Sequence, residues 1–232
     1  VKTADVTRIT EMEDHHWWFR EKRHLLADEL NRLGPPGRAL DIGAAGGGNT
    51  RVLRSRGWDV VATDYDENAV EIARSRGLDA IHADARDLPL PSSSFDLVVA
   101  FEILEHIQED DQAAAELFRV LRPGGSALIS VPSGMDLWSA HDVAVHHVRR
   151  YDRASLRKVI EDAGFVVDEL WSWNVLLRPV VALRRRSARG NELNEHTPWL
   201  VNRALTAIVT AERYLPTRSR RGVSLILKVH KP

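Results

Sequence analysis

The sequence predicts an α/β fold, a mainly parallel sheet with helices on both faces. Three observations carry this reading. Short apolar runs of β-forming residues alternate with segments of helical spacing along most of the chain. Helical segments end on stop signals, of which Arg122-Pro123-Gly124-Gly125 is the plainest. The composition is ordinary globular usage, with 232 residues, 44% apolar and 28% charged, enough to bury the core of one sizeable domain.

Arg38–Ile42 is the first strand, an apolar run that breaks at Gly43, and helical character resumes over Thr50–Arg56. Asp59–Thr63 (DVVAT) reads as a buried strand, and Glu67–Arg76 as a helix with Ala69, Val70, Ile72 and Ala73 apolar. A weaker strand at Ala80–His82 precedes a strong one at Asp96–Phe101 (DLVVAF). Asp110–Leu121 is a helix closed by the Arg-Pro-Gly-Gly run, and Ala127–Val131 is a fifth strand. Arg153–Ala163 is a helix ended by Gly164, and Phe165–Leu170 is a sixth strand. Two stretches leave the alternation. Residues 1–34 read as an amphipathic helical segment (Leu25, Leu26, Leu30, Leu33). Residues 174–222 read as an Arg-rich insert with a helix over Pro198–Tyr214, before a last strand at Val223–Val229. Sheets of this kind bind ligands at the carboxyl ends of their strands, near the switch in strand order. Functional residues are sought there.

Cysteine is absent, which excludes a disulfide framework, thiolate metal ligands and a cysteine nucleophile, and suits a reducing cytoplasm. No run is long and apolar enough to span a bilayer, and Val1-Lys2-Thr3 followed by Glu11, Glu13 and Asp14 lacks signal-peptide character. A cytoplasmic location and no membrane partner are therefore expected. The formal charge of −1 speaks against wholesale nucleic-acid binding, yet it sums unlike halves. Residues 1–177 carry 20 basic and 30 acidic side chains, and residues 178–232 carry 12 and 3. Charge arguments must be local.

The first strand runs into Asp41-Ile42-Gly43-Ala44-Ala45-Gly46-Gly47-Gly48. Small residues let a ligand approach the backbone, and the following helix offers free N–H groups. The dinucleotide fingerprint G-x-G-x-x-G fails, because Ala45 stands at its second glycine. A carboxylate at Asp41 would repel a pyrophosphate but can anchor a cationic amino-acid group. Asp64 ends the second strand, 23 residues beyond Asp41, where a carboxylate accepts from two ribose hydroxyls. Asp84 ends the third, where an acid can accept from an adenine amino group. Three strand-end carboxylates without a phosphate-binding lysine suit a ligand with sugar, base and ammonium but no phosphate. S-adenosylmethionine has that chemistry.

ALDIGAAGGGNT, VVATDYD, IHADARDLPLPSSSFDLVVAFEILEHI and LRPGG, in this order and spacing from about residue 38 to 132, together resemble the class I S-adenosylmethionine-dependent methyltransferases. The resemblance implies a Rossmann-like seven-stranded sheet in the order 3-2-1-4-5-7-6, with the last strand antiparallel. It implies that residues 35–232 are the methyltransferase domain and residues 1–34 a helical lid over the cofactor. By motif match, Asp41, Gly43 and Gly47 contact the methionine end, Asp64 the ribose, and Asp84 and Ala85 the adenine. Ala45, Tyr65 and Phe101 complete the cofactor-contacting set. Ala45 departs from the family's glycine and is expected to keep a negative φ.

After the fourth strand stands Phe101-Glu102-Ile103-Leu104-Glu105-His106. On a helix Glu102, Glu105 and His106 would share one face at i, i+3 and i+4. The E-x-x-E-H string resembles metal-dependent RNA 2′-O-methyltransferases and the O-methyltransferases of ubiquinone biosynthesis. Two readings stay open. Glu102, Glu105, His106 and His147 hold a divalent cation, Mg²⁺ or Mn²⁺; or the acids cap the strand end and a histidine packs or acts as a base, as in metal-free relatives. An acceptor hydroxyl must lose its proton, for which histidine is suited. His147 is the first candidate base and His106 the second.

HVRRYDRASLRKVIEDAGF and EDHHWWFREKR also resemble stretches of bacterial small-molecule methyltransferases. The resemblance implies an acceptor-facing set of Trp18, His146, Arg149, Arg150 and Tyr151, with His15, Trp17 and Arg20 as further lid residues; Arg149 and Arg150 can pair with an anionic acceptor or equally be solvated helix-entry charges. Trp17 and its neighbours can equally staple the segment to the core. Six tryptophans (Trp17, Trp18, Trp138, Trp171, Trp173, Trp199) fall in segments expected to frame a partly aromatic acceptor. The insert is expected to shape the acceptor pocket or a homodimer face.

The reading that results is transfer of a methyl group to a hydroxyl, or next an amine, of a small molecule, of the kind met in secondary metabolism. No D/N-P-P-Y/F motif follows the fourth strand, which speaks against adenine-N6 and glutamine-amide acceptors. The alternatives are a metal-dependent RNA 2′-O-methyltransferase using the arginines of 184–221, and a non-catalytic S-adenosylmethionine-binding subunit. Few aromatics interleave those arginines, so an RNA-stacking platform is poorly supported.

Overall fold

The computed structural model describes residues 10–187 and 197–232. In chain order its elements are α1 (Trp17–Leu30), β1 (Arg38–Ile42), α2 (Gly48–Ser55), β2 (Asp59–Asp64), α3 (Glu67–Ser75), β3 (Ala80–His82) and β4 (Phe95–Phe101). There follow α4 (Asp110–Val120), β5 (Leu121–Pro132), α5 (Ala140–Ala144), α6 (Arg153–Asp162) and β6 (Val166–Trp173). The chain ends in α7 (Arg178–Ser187), α8 (Trp199–Glu212) and β7 (Ser224–His230). The strands form one sheet in the order β3-β2-β1-β4-β5-β7-β6. β7 runs antiparallel to both neighbours and the other pairings are parallel, as the resemblance implied.

Alternate residues of each strand face opposite layers. On one side Leu40, Val98 and Ile129 pack with Ala113 and Leu117 of α4 and Leu156 and Ile160 of α6. On the other, Ala39, Leu97, Val99 and Leu128 pack with Leu26 and Leu30 of α1 and Leu53 of α2. Leu26, Leu97 and Leu128 are wholly buried, each contributing about 1.5–3 kcal/mol of apolar burial. α1 is thus part of the second layer, although sequence pattern set it apart as residues 1–34. Residues 1–9 of that segment lie outside the described residues.

Three local expectations change. Arg122–Gly125 is not a loop between helix and strand: β5 begins at Leu121, opposite Phe95, and the four residues form a bulge before pairing resumes at Leu97 and Ser126. The segment after β4 is not a helix. Glu102 has φ +58°, in the left-handed region, and only Leu104–His106 makes a 3₁₀ turn, so the i, i+3, i+4 face does not form. The insert carries α7 as well as the expected α8, and α8 packs on α1. Asn202 of α8 accepts from Trp17 N at 2.9 Å and donates to His15 O at 3.0 Å, which satisfies a helix-end N–H.

Candidate active site

A cavity of about 710 Å³ lies at the carboxyl ends of β1–β4, roofed by α1 and walled on the far side by α5 and α7. Its nucleotide half is built by the β1–α2 loop. Gly43 has φ +68°, and a Cβ there would stand 1.8 Å from the Ile103 side chain, so no larger residue fits. Gly47, at φ +85°, caps α2 from behind the lining, while Gly48 and Asn49 of its first turn face the cavity. Free N–H groups of that turn suit an anionic group.

Ala45 has φ +46°, which corrects the expectation of a negative φ. The loop keeps a glycine-like backbone at a cost of about 1–2 kcal/mol. Its N–H is thereby aimed at Asp64 Oδ2, 2.9 Å away. Asp64 Oδ1 accepts from Asp66 N at 2.9 Å, and burial raises this carboxyl above its ordinary value. Asp41 is buried and accepts from Thr50 Oγ1 at 2.6 Å. Its Oδ1 has no partner, and burial pushes the carboxyl up to about 7. It sits behind the lining rather than in it. Asp84 is held by Arg86, whose hydrogen bond lowers its carboxyl. Tyr65, Ala85 and Phe101 line the same half.

Three residues of the N-terminal segment that the motifs did not single out also reach the cavity. Glu13 is buried and accepts from Arg76 and, at 3.2 Å, from Arg51. Arg23 bonds the Glu13 carbonyl. Lys22 is buried, bonds Glu102, donates to Ser130 Oγ at 2.7 Å, and lies 5.1 Å and 5.4 Å from the ring centroids of Trp18 and Trp173. A sequence signal existed for Lys22, one helical turn after Trp18 and so on the same face. Trp18 lines the cavity, whereas Trp17, Trp171 and Trp173 form a buried cluster behind it and Trp199 is exposed. Among the six acceptor-side tryptophans, only Trp18 meets the cavity.

The acceptor half centres on His147. Burial alone would raise Asp142, but its hydrogen bond to His147 and the charges of Arg150 and Arg185 hold it well below the usual carboxylate range. Being ionised, it can only accept, so the proton lies on His147 Nδ1, which donates to Asp142 Oδ1 at 2.9 Å. Nε2 lies 3.9 Å from Glu105 Oε1. Glu105 is fully buried with neither oxygen partnered. Burial, then the charge of Glu102, raises its carboxyl well above the usual range. His106 stacks edge-on to His147 with centroids 4.7 Å apart, and burial lowers it to about 4.

The four expected metal ligands do not converge. Glu105, His106 and His147 present ligand atoms within 4.8 Å of one another. Glu102 instead turns to Lys22 and Ser130, whose pull outweighs burial and keeps its carboxyl low. The acceptor set also divides. Trp18 and Arg150 meet the cavity, but Arg150 is buried and committed to Asp142 at 2.7 Å and to the Ser133 and Gly134 carbonyls. Arg149 pairs with Asp110 at 2.6 Å, Tyr151 is buried with its hydroxyl on the same Asp110, and His146 lies outside the lining. His141 and Arg185 also line the cavity. Arg185 comes from α7 and meets Asp142 at 3.0 Å.

Residues 40–129 match a family model described as a methyltransferase domain. A protein of Mycolicibacterium smegmatis named as a probable S-adenosylmethionine-dependent methyltransferase is 33% identical over 166 residues, 69% of this chain and 64% of that one. A ubiquinone biosynthesis O-methyltransferase of Hahella chejuensis is 30% identical over 149 residues, 56% and 63% of the two chains. The chain spans about three fifths of the length of the curated relatives it matches first. A methyltransferase solved in complex with the Haloferax volcanii Trm112 methyltransferase activator superposes with a TM-score of 0.68 at 23% identity, over 99% of this chain and 95% of that one. That likeness is one of fold.

Proposed function

The chain belongs to the class I S-adenosylmethionine-dependent methyltransferases, and on that premise we propose that it transfers the cofactor's methyl group to a hydroxyl of a small molecule, with His147 as the base. The observation that carries this is the Asp142–His147 pair in the cavity lining, in which Asp142 takes up Nδ1 and Nε2 is left for an acceptor. The cavity's residues fit the cofactor: Asp64 and Asp84 stand at successive strand ends in its lining, and behind them Asp41 holds a buried oxygen without a partner.

The bound cofactor supplies an electrophilic methyl on a sulfonium. Asp64 and Asp84 accept from its ribose and adenine, and the loop at Gly43 and Ala45 holds its amino-acid end. His147 Nε2 would take the acceptor's hydroxyl proton while the methyl passes from sulfur to that oxygen and S-adenosylhomocysteine is left, and ionised Asp142 would stabilise the resulting imidazolium. An amine acceptor would yield its proton to the same nitrogen. Most of the acceleration comes from holding acceptor and methyl in line within a half-enclosed cavity. S-adenosylhomocysteine should raise the melting temperature, and Asp64→Ala should shrink that rise by lowering affinity roughly tenfold or more, the loss of charge-assisted hydrogen bonds. No shift at saturating ligand would end this reading.

A metal-assisted variant has one observation in its favour, the unpartnered oxygens of Glu105 beside His106 and His147. A cation there would displace the Glu105 proton and occupy His147 Nε2, lowering the pKa of an acceptor hydroxyl in place of the base. The two mechanisms separate on chelation. With His147 as base, activity survives EDTA unchanged; loss in EDTA that Mg²⁺ or Mn²⁺ restores would replace the base by the ion.

A further inference from the structure

The N-terminal segment brings to the cavity an acid that the strand-end motifs do not account for. Glu13 lines the nucleotide half and is 4% exposed. Its carboxylate is fixed from one side: Oε1 accepts from Arg76, just past α3, and at 3.2 Å from Arg51 of α2. Oε2 takes no donor among the described residues and lies against the first turn of α2, where a Cβ on Gly48 would stand 2.5 Å from it. Gly48 leaves the room that this carboxylate fills, and the free N–H groups of the turn favour negative charge there. The other acids of the lining are committed. Glu102 is bonded to Lys22 and Glu109 to Arg86, while Asp64 and Asp84 stand at the strand ends given to ribose and adenine. Asp41, the sequence's candidate for a cationic amino-acid group, is 1% exposed and sits behind the lining on Thr50. Burial first, and with it the charges of Asp64 and Glu13, raise the Asp41 carboxyl, which puts the three acids around one space. Of the three, Glu13 and Asp64 open onto the cavity.

We propose that Glu13 Oε2 receives the α-ammonium of the cofactor's methionine end, the role that sequence position gives to Asp41. A carboxylate held by two arginines on one oxygen and open on the other is a fixed acceptor for one cationic donor. The amino-acid end is then read by a residue outside the methyltransferase motifs. That residue lies on the segment that also carries Trp18 and Lys22 into the cavity wall, so the bound cofactor helps to hold the wall of the acceptor half. The competing role is a latch alone, since the same ion pairs tie the segment to α2 and to the end of α3. Ligand chemistry separates the two, because a latch does not distinguish a ligand with an ammonium from one without. The inference rests on the cofactor assignment above and not on the acceptor or on His147.

The test is calorimetric titration with S-adenosylhomocysteine and with its deaminated analogue, which keeps the carboxylate and lacks the ammonium. Glu13→Gln is expected to weaken S-adenosylhomocysteine about tenfold or more, as for a lost charge-assisted hydrogen bond, and to leave the analogue's affinity unchanged. Arg76→Met removes a latch partner but keeps the Glu13 charge, which Arg51 and the bond from Arg23 to the Glu13 carbonyl still hold in place. This variant should therefore keep the parent's preference for the ammonium-bearing ligand. Equal loss of both ligands in Glu13→Gln, or no loss of S-adenosylhomocysteine, overturns the proposal. So does an Arg76→Met protein that has lost the preference, which keeps the question open to measurement if Glu13→Gln does not fold. A parent that binds neither ligand would overturn the cofactor assignment, and this inference with it.

Discussion

His147→Gln lowers kcat roughly 10²- to 10⁴-fold, the range of a lost general base, while S-adenosylhomocysteine affinity stays unchanged. His147 sits on the acceptor side and its bonds go to Asp142, not to the loop of Gly43 and Ala45. Glutamine keeps a donor for Asp142 and so limits the damage of leaving that buried carboxylate short of a partner. The diagnostic is the split between constants: kcat falls and cofactor affinity does not. Equal losses in kcat and cofactor affinity would mean that His147 only braces the cavity wall.

Lys22→Met destabilises the fold by about 3 kcal/mol, because it strands the Glu102 charge without its ammonium partner. Side-chain exposure is 6% for Lys22 and 27% for Glu102, so water replaces little of what is lost. Combining Lys22→Met with Glu102→Gln should recover most of the loss, since removing both charges leaves neither unpaired. Denaturant melts of the two single variants and the double complete the cycle. Additive losses would show that the Lys22 and Glu102 charges do not depend on each other.

The sheet order and its strand-end carboxylates were legible because both are written locally. Apolar runs of strand length, stop signals and Asp64 at a strand end are patterns within a few residues of one another. The acceptor half was less so. His147 stood out by residue type, but Asp142, five residues before it, carries no local mark of being fully buried against two arginines. Arg185 reaches that pair from 43 residues away, and Lys22 meets Glu102 across 80. Nothing in the spacing of E-x-x-E-H reveals that Glu102 turns left-handed and leaves the other two. Tyr151 and Arg149 enter the acceptor set only through the family resemblance of their stretch. The structure spends both on Asp110.

The amino-acid sequence by itself determined the fold class, the cofactor's chemistry and the end of the sheet where the candidate cofactor residues gather, since each rests on periodicity and on residue types at strand termini. Tertiary structure alone decided that His147 is held by Asp142, that burial raises the Glu105 carboxyl while Lys22 keeps that of Glu102 low, and that α8 shows an apolar outer face. Those properties depend on burial and on partners distant in the chain. Charge state follows from desolvation and neighbouring charges in space, and neither quantity exists until the chain has folded.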